Sequence, residues 1–180
     1  MMKLTVITGS PHKKGTTALL AEKFIAGAKE TGHEVLRFDT AFENVKPCLA
    51  CEYCASHDGE CVHKDTMNDL SKQLIETELI VFVTPLYYFG MSAQIKAVID
   101  RFHASNAKIA GSKKAMLLVA SYIADDWAME GLETMYESML RFLNWEDAGK
   151  LRAAGCPTRE VLEQTAYPQQ AFEMGKNLCQ

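Results

Sequence analysis

The amino-acid sequence contains no run of apolar residues that approaches the roughly 20 needed to span a bilayer. It also has no internal repeat, no low-complexity segment and no apolar stretch with the length of a signal-peptide core. Positive charge is not in excess, because 19 Lys and Arg stand against 23 Asp and Glu, for a net charge of −4. These features predict a cytoplasmic protein without a membrane segment and without a general affinity for nucleic acid.

What the sequence does contain is a regular alternation of short apolar runs and amphipathic segments. Strands are predicted at residues 4–9, 33–39, 78–85, 114–121 and within 145–154, and helices at about 16–31, 67–76, 92–103, 129–143 and from 158 to the C-terminus. This alternation predicts an α/β fold, a flavodoxin-like doubly wound open sheet of five parallel strands in the order 2-1-3-4-5, with helices on both faces. We predict a single domain over residues 1–180, with a cysteine-rich loop inserted at about 44–65.

The loop after the first strand, TGSPHKKGTT, has the groups that bind a phosphate. It follows neither the G-x-G-x-x-G nor the Walker A pattern. It nevertheless combines hydroxyls, a glycine that lets the backbone approach, positive charge and the unpaired N–H groups of a helix start; the residues concerned are Ser10, His12, Lys13, Lys14, Gly15, Thr16 and Thr17. A polar turn with solvated lysines is the alternative interpretation.

The loop after the third strand is aromatic. Tyr87, Tyr88 and Phe89 stand where a doubly wound sheet has its ligand crevice, and Gly90 permits a tight turn. Such rings and exposed amides suit a flat, partly polar ring system, although packing in the core or at a subunit interface is an equal alternative for each ring. The end of the fourth strand, at Ser121, is a candidate third wall.

Four of the six cysteines lie in one short stretch with the spacing C-x2-C-x2-C-x6-C, at Cys48, Cys51, Cys54 and Cys61. A tight run of this kind is typical of a 4Fe–4S cluster, which takes one thiolate for each iron. Structural zinc, which usually uses two separated C-x2-C pairs, and reduced thiols without metal remain as alternatives. No role is predicted for Cys156 or Cys179.

Three segments, ITGSPHKKGTT, PCLACEYC…GECVHKDTM and TPLYYFGMSAQIKAVIDRF, together resemble those of the flavodoxin-like NAD(P)H-dependent FMN reductases and, within them, the iron–sulfur flavoproteins. The resemblance covers about residues 2–155. It implies non-covalent FMN, a compact four-cysteine cluster motif, and a homodimer or homotetramer with the flavin near a subunit interface. It implies that the phosphate is held by Ser10, His12, Gly15, Thr16 and Thr17, and that the isoalloxazine ring is lined by Pro85, Leu86, Tyr87, Tyr88, Phe89 and Gly90.

The chain departs from this family pattern at three places. Many relatives have Arg at the position of His12 and Asn at that of Thr16, and the segment SYIADDWAMEG replaces a glycine-rich turn after the fourth strand. The resulting hypothesis is an FMN-dependent oxidoreductase that accepts hydride from NAD(P)H and passes electrons to a flavin, quinone or iron–sulfur acceptor. The alternatives are an electron carrier between protein partners without NAD(P)H turnover and a non-enzymatic module stapled by zinc.

Overall fold

The computed structural model describes residues 1–178, so that Cys179 lies outside the described part of the chain. The strands are β1 Lys3–Thr8, β2 Glu34–Asp39, β3 Leu79–Pro85, β4 Lys114–Ala120 and β5 Glu146–Ala153. The helices are α1 Thr16–Glu30, α2 Met67–Glu76, α3 Ala93–Arg101, α4 Asn106–Ile109, α5 Glu130–Leu143, α6 Arg159–Glu163 and α7 Tyr167–Lys176. Short 3-10 turns lie at Thr40–Phe42, Tyr53–Ser56, Phe102–Ser105 and Asp126–Met129.

The five strands form one sheet in the order β2-β1-β3-β4-β5. Each neighbouring pair is parallel, which confirms the predicted flavodoxin-like topology. Every residue of β3 is buried, as expected for the central strand of a sheet covered on both faces. All strands therefore end at the same edge, and the loops that follow them lie close together.

Alternate residues of each strand face opposite sides of the sheet and divide the core in two. Ile80 and Phe82 of β3 pack with residues of α2, α3 and α5. Leu79, Val81 and Val83 pack on the other side, with residues of α1, α6 and α7. The continuous apolar runs of the sequence are thus explained by a sheet whose two faces are both buried.

Helices α1 and α7 approach each other closely through glycine. A Cβ atom placed on Gly27 would lie 2.0 Å from the carbonyl oxygen of Phe172, and one placed on Gly175 would lie 2.1 Å from that of Phe24. Only a residue without a side chain fits at either position, since atoms cannot approach so closely without displacing the backbone.

The predicted single helix from residue 158 to the C-terminus is wrong, because the structure has two helices there, α6 and α7. Pro168 lies at the start of α7, where its missing N–H is not needed by the helix. The Thr165 hydroxyl donates a hydrogen bond to the carbonyl of Leu162 and accepts one from the N–H of Tyr167. These side-chain bonds replace the helical ones and allow the chain to turn between α6 and α7.

No helix in the part of the chain that the structure describes is long and apolar enough to cross a membrane.

Candidate cofactor sites

A cavity of about 360 Å³ opens at the edge of the sheet where the strands end. Its volume is within the range of small-molecule sites. Loops that follow β1, β3, β4 and β5 form its walls: Ser10, His12, Gly15, Thr16, Pro85, Leu86, Tyr87, Ala120, Tyr122, Cys156, Pro157, Thr158 and Arg159. The cavity therefore lies where the doubly wound fold places its ligand crevice.

One end of this cavity is a backbone cradle at the start of α1. The His12 N–H donates to the Ser10 hydroxyl over 3.1 Å, and the Gly15 N–H donates to the His12 carbonyl over 3.1 Å. Among residues 1–178, no side chain caps the start of α1 and no acidic residue lies in its first turn. A Cβ atom on Gly15 would lie 3.0 Å from the Cβ of His12 and would fill the cradle. These groups fit a phosphate, which accepts hydrogen bonds from free N–H groups at the positive end of a helix dipole.

The aromatic loop after β3 forms a tight, strained turn. Tyr87 and Gly90 exchange backbone hydrogen bonds, each of 3.1 Å. The two residues between them have positive φ angles, 45° for Tyr88 and 63° for Phe89. The sequence pointed to Gly90 for this turn, whereas the left-handed conformations lie at the two aromatic residues. Bulky residues seldom hold such angles unless the surrounding structure or a function requires them.

The rings of this loop are exposed beside the cavity. Tyr88 is fully exposed, while Phe89 contacts Trp127 with the ring centroids 5.2 Å apart. Tyr122 and Trp127, which follow β4, are also exposed. The loops after β3 and β4 thus carry an aromatic surface, formed by Tyr87, Tyr88, Phe89, Tyr122 and Trp127, of which Tyr87 and Tyr122 lie on the cavity wall.

The structure brings together some, but not all, of the residues that the sequence predicted to contact flavin. Those on the cavity wall are Ser10, His12, Gly15, Thr16, Pro85, Leu86 and Tyr87. Those outside the wall are Lys14, Thr17, Tyr88, Phe89, Gly90 and Ser121. Ser121 is buried, and its hydroxyl accepts a hydrogen bond from the Ile123 N–H over 3.0 Å, so that it shapes the loop after β4.

Sequence reasoning missed the loop after β5. The Cys156 N–H donates to the Ser121 carbonyl over 2.7 Å, which joins this loop to the one after β4. Cys156 is buried, and burial raises the pKa of its thiol. The predicted strand order contained the relevant signal, because β5 lies beside β4 and must end at the same edge of the sheet.

The cysteine-rich loop leaves β2 and folds over α2 and the end of α3. The two ends of the loop are joined by the Thr66 N–H, which donates to the Asn44 carbonyl over 3.3 Å. The Lys108 ammonium donates to the Asp58 carbonyl over 2.7 Å and anchors the outer part of the loop to α4. These contacts give a long irregular segment a defined path.

Within this loop, all four cysteines line one small cavity, which we call the thiol pocket. Its wall consists of Cys48, Leu49, Ala50, Cys51, Glu52, Cys54, Cys61, Val62, His63, Arg101, His103 and Ala104. Burial and the nearby thiols of Cys61 and Cys48 raise the pKa of the Cys54 thiol. Residues 1–178 contain no group of three or more His, Cys, Asp or Glu that could hold a metal ion.

Two residues of the thiol pocket have a left-handed backbone, and one backbone N–H donates to a cysteine sulfur. Ala50 and Glu52, on either side of Cys51, have φ angles of 50° and 56°. The Ala50 N–H donates to the Sγ of Cys48 over 3.4 Å. Left-handed residues in such turns direct successive N–H groups to one side, and many iron–sulfur sites use concavities of this type.

A buried ion pair lies at the base of the loop. Arg101 donates from Nη1 and Nη2 to the two carboxylate oxygens of Asp65, over 2.8 and 3.1 Å, and from Nη1 to the Lys46 carbonyl over 2.9 Å. The side chains of both partners are at least 98% buried, with exposed fractions of 2% and 0%. Burial alone would raise the pKa of Asp65, but the hydrogen bonds from Arg101 and from the Lys46 N–H outweigh it and lower the pKa. Asp65 therefore stays ionised beside the guanidinium.

The parallel sheet has the order 2-1-3-4-5. A cradle that fits a phosphate follows its first strand, and an aromatic loop follows its third. These features together define the flavodoxin-like class of cofactor-binding proteins. Residues 2–150 match the model of the family described as NADPH-dependent FMN reductase, and the chain belongs to that family.

The comparison with curated relatives supports this assignment. An iron–sulfur flavoprotein of Archaeoglobus fulgidus is 42% identical over 98 residues, which are 54% of this chain and 49% of that protein. A putative NAD(P)H-dependent FMN-containing oxidoreductase of Bacillus subtilis is 22% identical over 169 residues, 89% of this chain and 90% of that protein. The chain spans about half the length of the curated iron–sulfur flavoproteins that it matches.

Solved structures show the same fold at low sequence identity. The NAD(P)H:quinone oxidoreductase from Methanothermobacter marburgensis has a TM-score of 0.81 at 18% identity, over 99% of this chain and 96% of that one.

Proposed function

We propose that the protein is an FMN-dependent oxidoreductase that takes hydride from NAD(P)H and passes electrons to a flavin, a quinone or an iron–sulfur acceptor. The observation that carries this proposal is the cavity at the sheet edge, in which a phosphate cradle and an aromatic loop meet in a chain of the FMN reductase family. When bound, FMN supplies the hydride and single-electron chemistry, and the protein binds, orients and shields the ring.

Different residues of the cavity would bind different parts of FMN. The free N–H groups at the start of α1, with the hydroxyls of Ser10 and Thr16, would bind the phosphate. The backbone of residues 85–90 would hydrogen-bond the edge of the isoalloxazine ring, and Tyr87 would pack against it. The exposed rings of Tyr88 and Trp127 would exclude water once the ring or a second subunit covers them. We therefore include a homodimer or homotetramer in the proposal, with residues 1–180 as one FMN-binding domain.

We also propose that the thiol pocket binds a 4Fe–4S cluster. The pocket collects the four cysteines of the C-x2-C-x2-C-x6-C motif, and its left-handed turns direct the Ala50 N–H to the Cys48 sulfur. A zinc ion would need its thiolates about 2.3 Å from one common point. A cubane would take one thiolate at each of its four irons, and the pocket wall carries four cysteines. The likeness to iron–sulfur flavoproteins over about half the chain supports the same choice.

An electron carrier between protein partners, without NAD(P)H turnover, is the second candidate. The observation in its favour is the exposure of Cys48 and Cys51, which would place a cluster near the protein surface. Stopped-flow mixing with NADH and with NADPH separates the two functions. Rapid bleaching of the flavin absorbance by either nucleotide supports the oxidoreductase, whereas an unreduced flavin supports the carrier.

An anaerobic absorbance spectrum, combined with iron and sulfide assays, tests both cofactors. A flavin band over a broad shoulder, with about four irons and four sulfides per chain, is the expected result. The matched control is the Cys156→Ala variant, which removes a cysteine outside the thiol pocket and should keep its iron, while Cys51→Ala should lose it. A protein that binds no flavin under these conditions would overturn the oxidoreductase. Flavin without iron would overturn the cluster alone.

A further inference from the structure

Arg101 has a hydrogen-bond donor without a partner. Three buried side-chain atoms of residues 1–178 make no hydrogen bond: Arg101 Nε, Glu133 Oε1 and Arg152 Nε. The last two face each other at 2.8 Å and form an ion pair. Arg101 Nε is therefore the one that remains, although Nη1 of the same guanidinium makes two hydrogen bonds and Nη2 makes one. Leaving a buried donor unpaired costs about 1–3 kcal/mol, so its persistence calls for an explanation.

The position of Arg101 suggests what the donor serves. Arg101 lies on the wall of the thiol pocket together with all four cysteines, and it also lies beside Cys61 in the neighbouring groove. Asp65, which pairs with Arg101, lines neither the thiol pocket nor the neighbouring groove. The carboxylate thus binds the Nη atoms of the guanidinium and leaves Nε free, on a side chain that lines the same pocket as the four cysteines.

We propose that Arg101 donates a hydrogen bond from Nε to a sulfur of the iron–sulfur cluster in the thiol pocket and thereby raises the reduction potential of that cluster. The inference rests on the cluster that forms part of the proposed function. Hydrogen bonds to sulfur and local charge are two of the factors that set cluster potentials. A guanidinium is charged at every accessible pH, and its field is weakly screened when it is buried. A cluster that gains an electron next to this cation is stabilised in its reduced form.

Arg101 is a positioning residue for the loop as well, so the test must separate charge from loop closure. Arg101→Gln removes the cation, and Asp65→Asn removes the anion. Both variants break the same ion pair at the base of the loop. Lys108→Gln is the matched control, because it removes a cation that anchors the same loop from an exposed position. The readout is the midpoint potential of the cluster, from a redox titration followed by electron paramagnetic resonance, with iron and sulfide counted in each variant.

Of the two changes, only the removal of the cation is expected to lower the potential. Arg101→Gln should lower the reduction equilibrium constant about tenfold, which equals about 59 mV for a one-electron couple. Asp65→Asn should leave this equilibrium constant unchanged or raise it, and Lys108→Gln should change it less than threefold, because solvent screens an exposed charge. Loss of the cluster from Arg101→Gln, with the cluster kept in Asp65→Asn, would also support the proposal.

Other results would overturn it. An unchanged potential in Arg101→Gln, a fall of the same size in both variants, or loss of the cluster from both would assign Arg101 to loop closure alone. A wild-type protein without iron and sulfide would refute the cluster itself, and with it this inference. The iron count of the wild type thus distinguishes the two failures.

Discussion

The strained turn after β3 allows stability and cofactor binding to be separated by one substitution, Tyr88→Asn. Tyr88 has a φ angle of 45°, and its side chain is fully exposed, so that the exchange removes little packing within the protomer. The left-handed conformation costs an ordinary L-residue roughly 1–2 kcal/mol, and Asn adopts it more readily because its side chain can hydrogen-bond locally. We expect Tyr88→Asn to increase the free energy of unfolding by about 1 kcal/mol, which raises the midpoint temperature by about 2–4 °C in a domain of this size.

The same exchange should weaken FMN binding. Aromatic pairs contribute about 0.5–1.5 kcal/mol beyond burial, so the loss of one ring corresponds to a rise in the dissociation constant of up to about tenfold. Thermal unfolding of the flavin-free protein measures the first effect, and a titration of flavin fluorescence measures the second. The matched control for stability is Tyr122→Asn, since Tyr122 is exposed on the same aromatic surface and is not among the residues with positive φ. It should change the unfolding free energy by less than about 0.5 kcal/mol.

Two results would refute this reasoning. If Tyr88→Asn does not raise the midpoint temperature above that of Tyr122→Asn, the turn does not hold the proposed strain. If Tyr88→Asn is stabilised but binds FMN as the wild type does, the strain is real and the aromatic ring at this position has no part in holding the cofactor.

Gly15→Val should lower FMN affinity at least tenfold, because the valine side chain would fill the phosphate cradle. Stability should change little, because the φ angle of −80° at this position suits any residue. A flavin titration measures the affinity. Gly175→Ala should destabilise the protein by about 3 kcal/mol, since its Cβ would lie 2.1 Å from the Phe24 carbonyl, and an unchanged urea midpoint would contradict this contact. Burial opposes the charge of Asp65, but hydrogen bonds outweigh it and lower the pKa of Asp65 in the folded state. The stability that Asp65 contributes is therefore complete above its unfolded pKa of about 3.9, and it is lost as the pH falls through the folded pKa. Asp65→Asn should therefore flatten this part of the acid limb when unfolding is followed between about pH 5 and pH 2, and an acid limb as steep as in the wild type would argue against the pair.

Local patterns in the sequence were sufficient for the strands, the sheet order and the four-cysteine loop. Apolar runs report burial on both faces of a sheet, and short β-α connections leave few topologies, so residues 79–85 could be recognised as the central strand before the structure was known. The cysteines could be grouped because C-x2-C spacing keeps ligands together whatever the rest of the chain does.

The tertiary structure alone decided three other features. It placed the loop after β5 on the cavity wall, put the left-handed conformations at Tyr88 and Phe89, and brought Arg101 to Lys46 and Asp65, which lie 55 and 36 residues away in the chain. Each depends on how separate elements meet. Periodicity and composition describe a segment by itself, whereas the partner of a buried guanidinium is set by the register and packing of α3 against a distant loop.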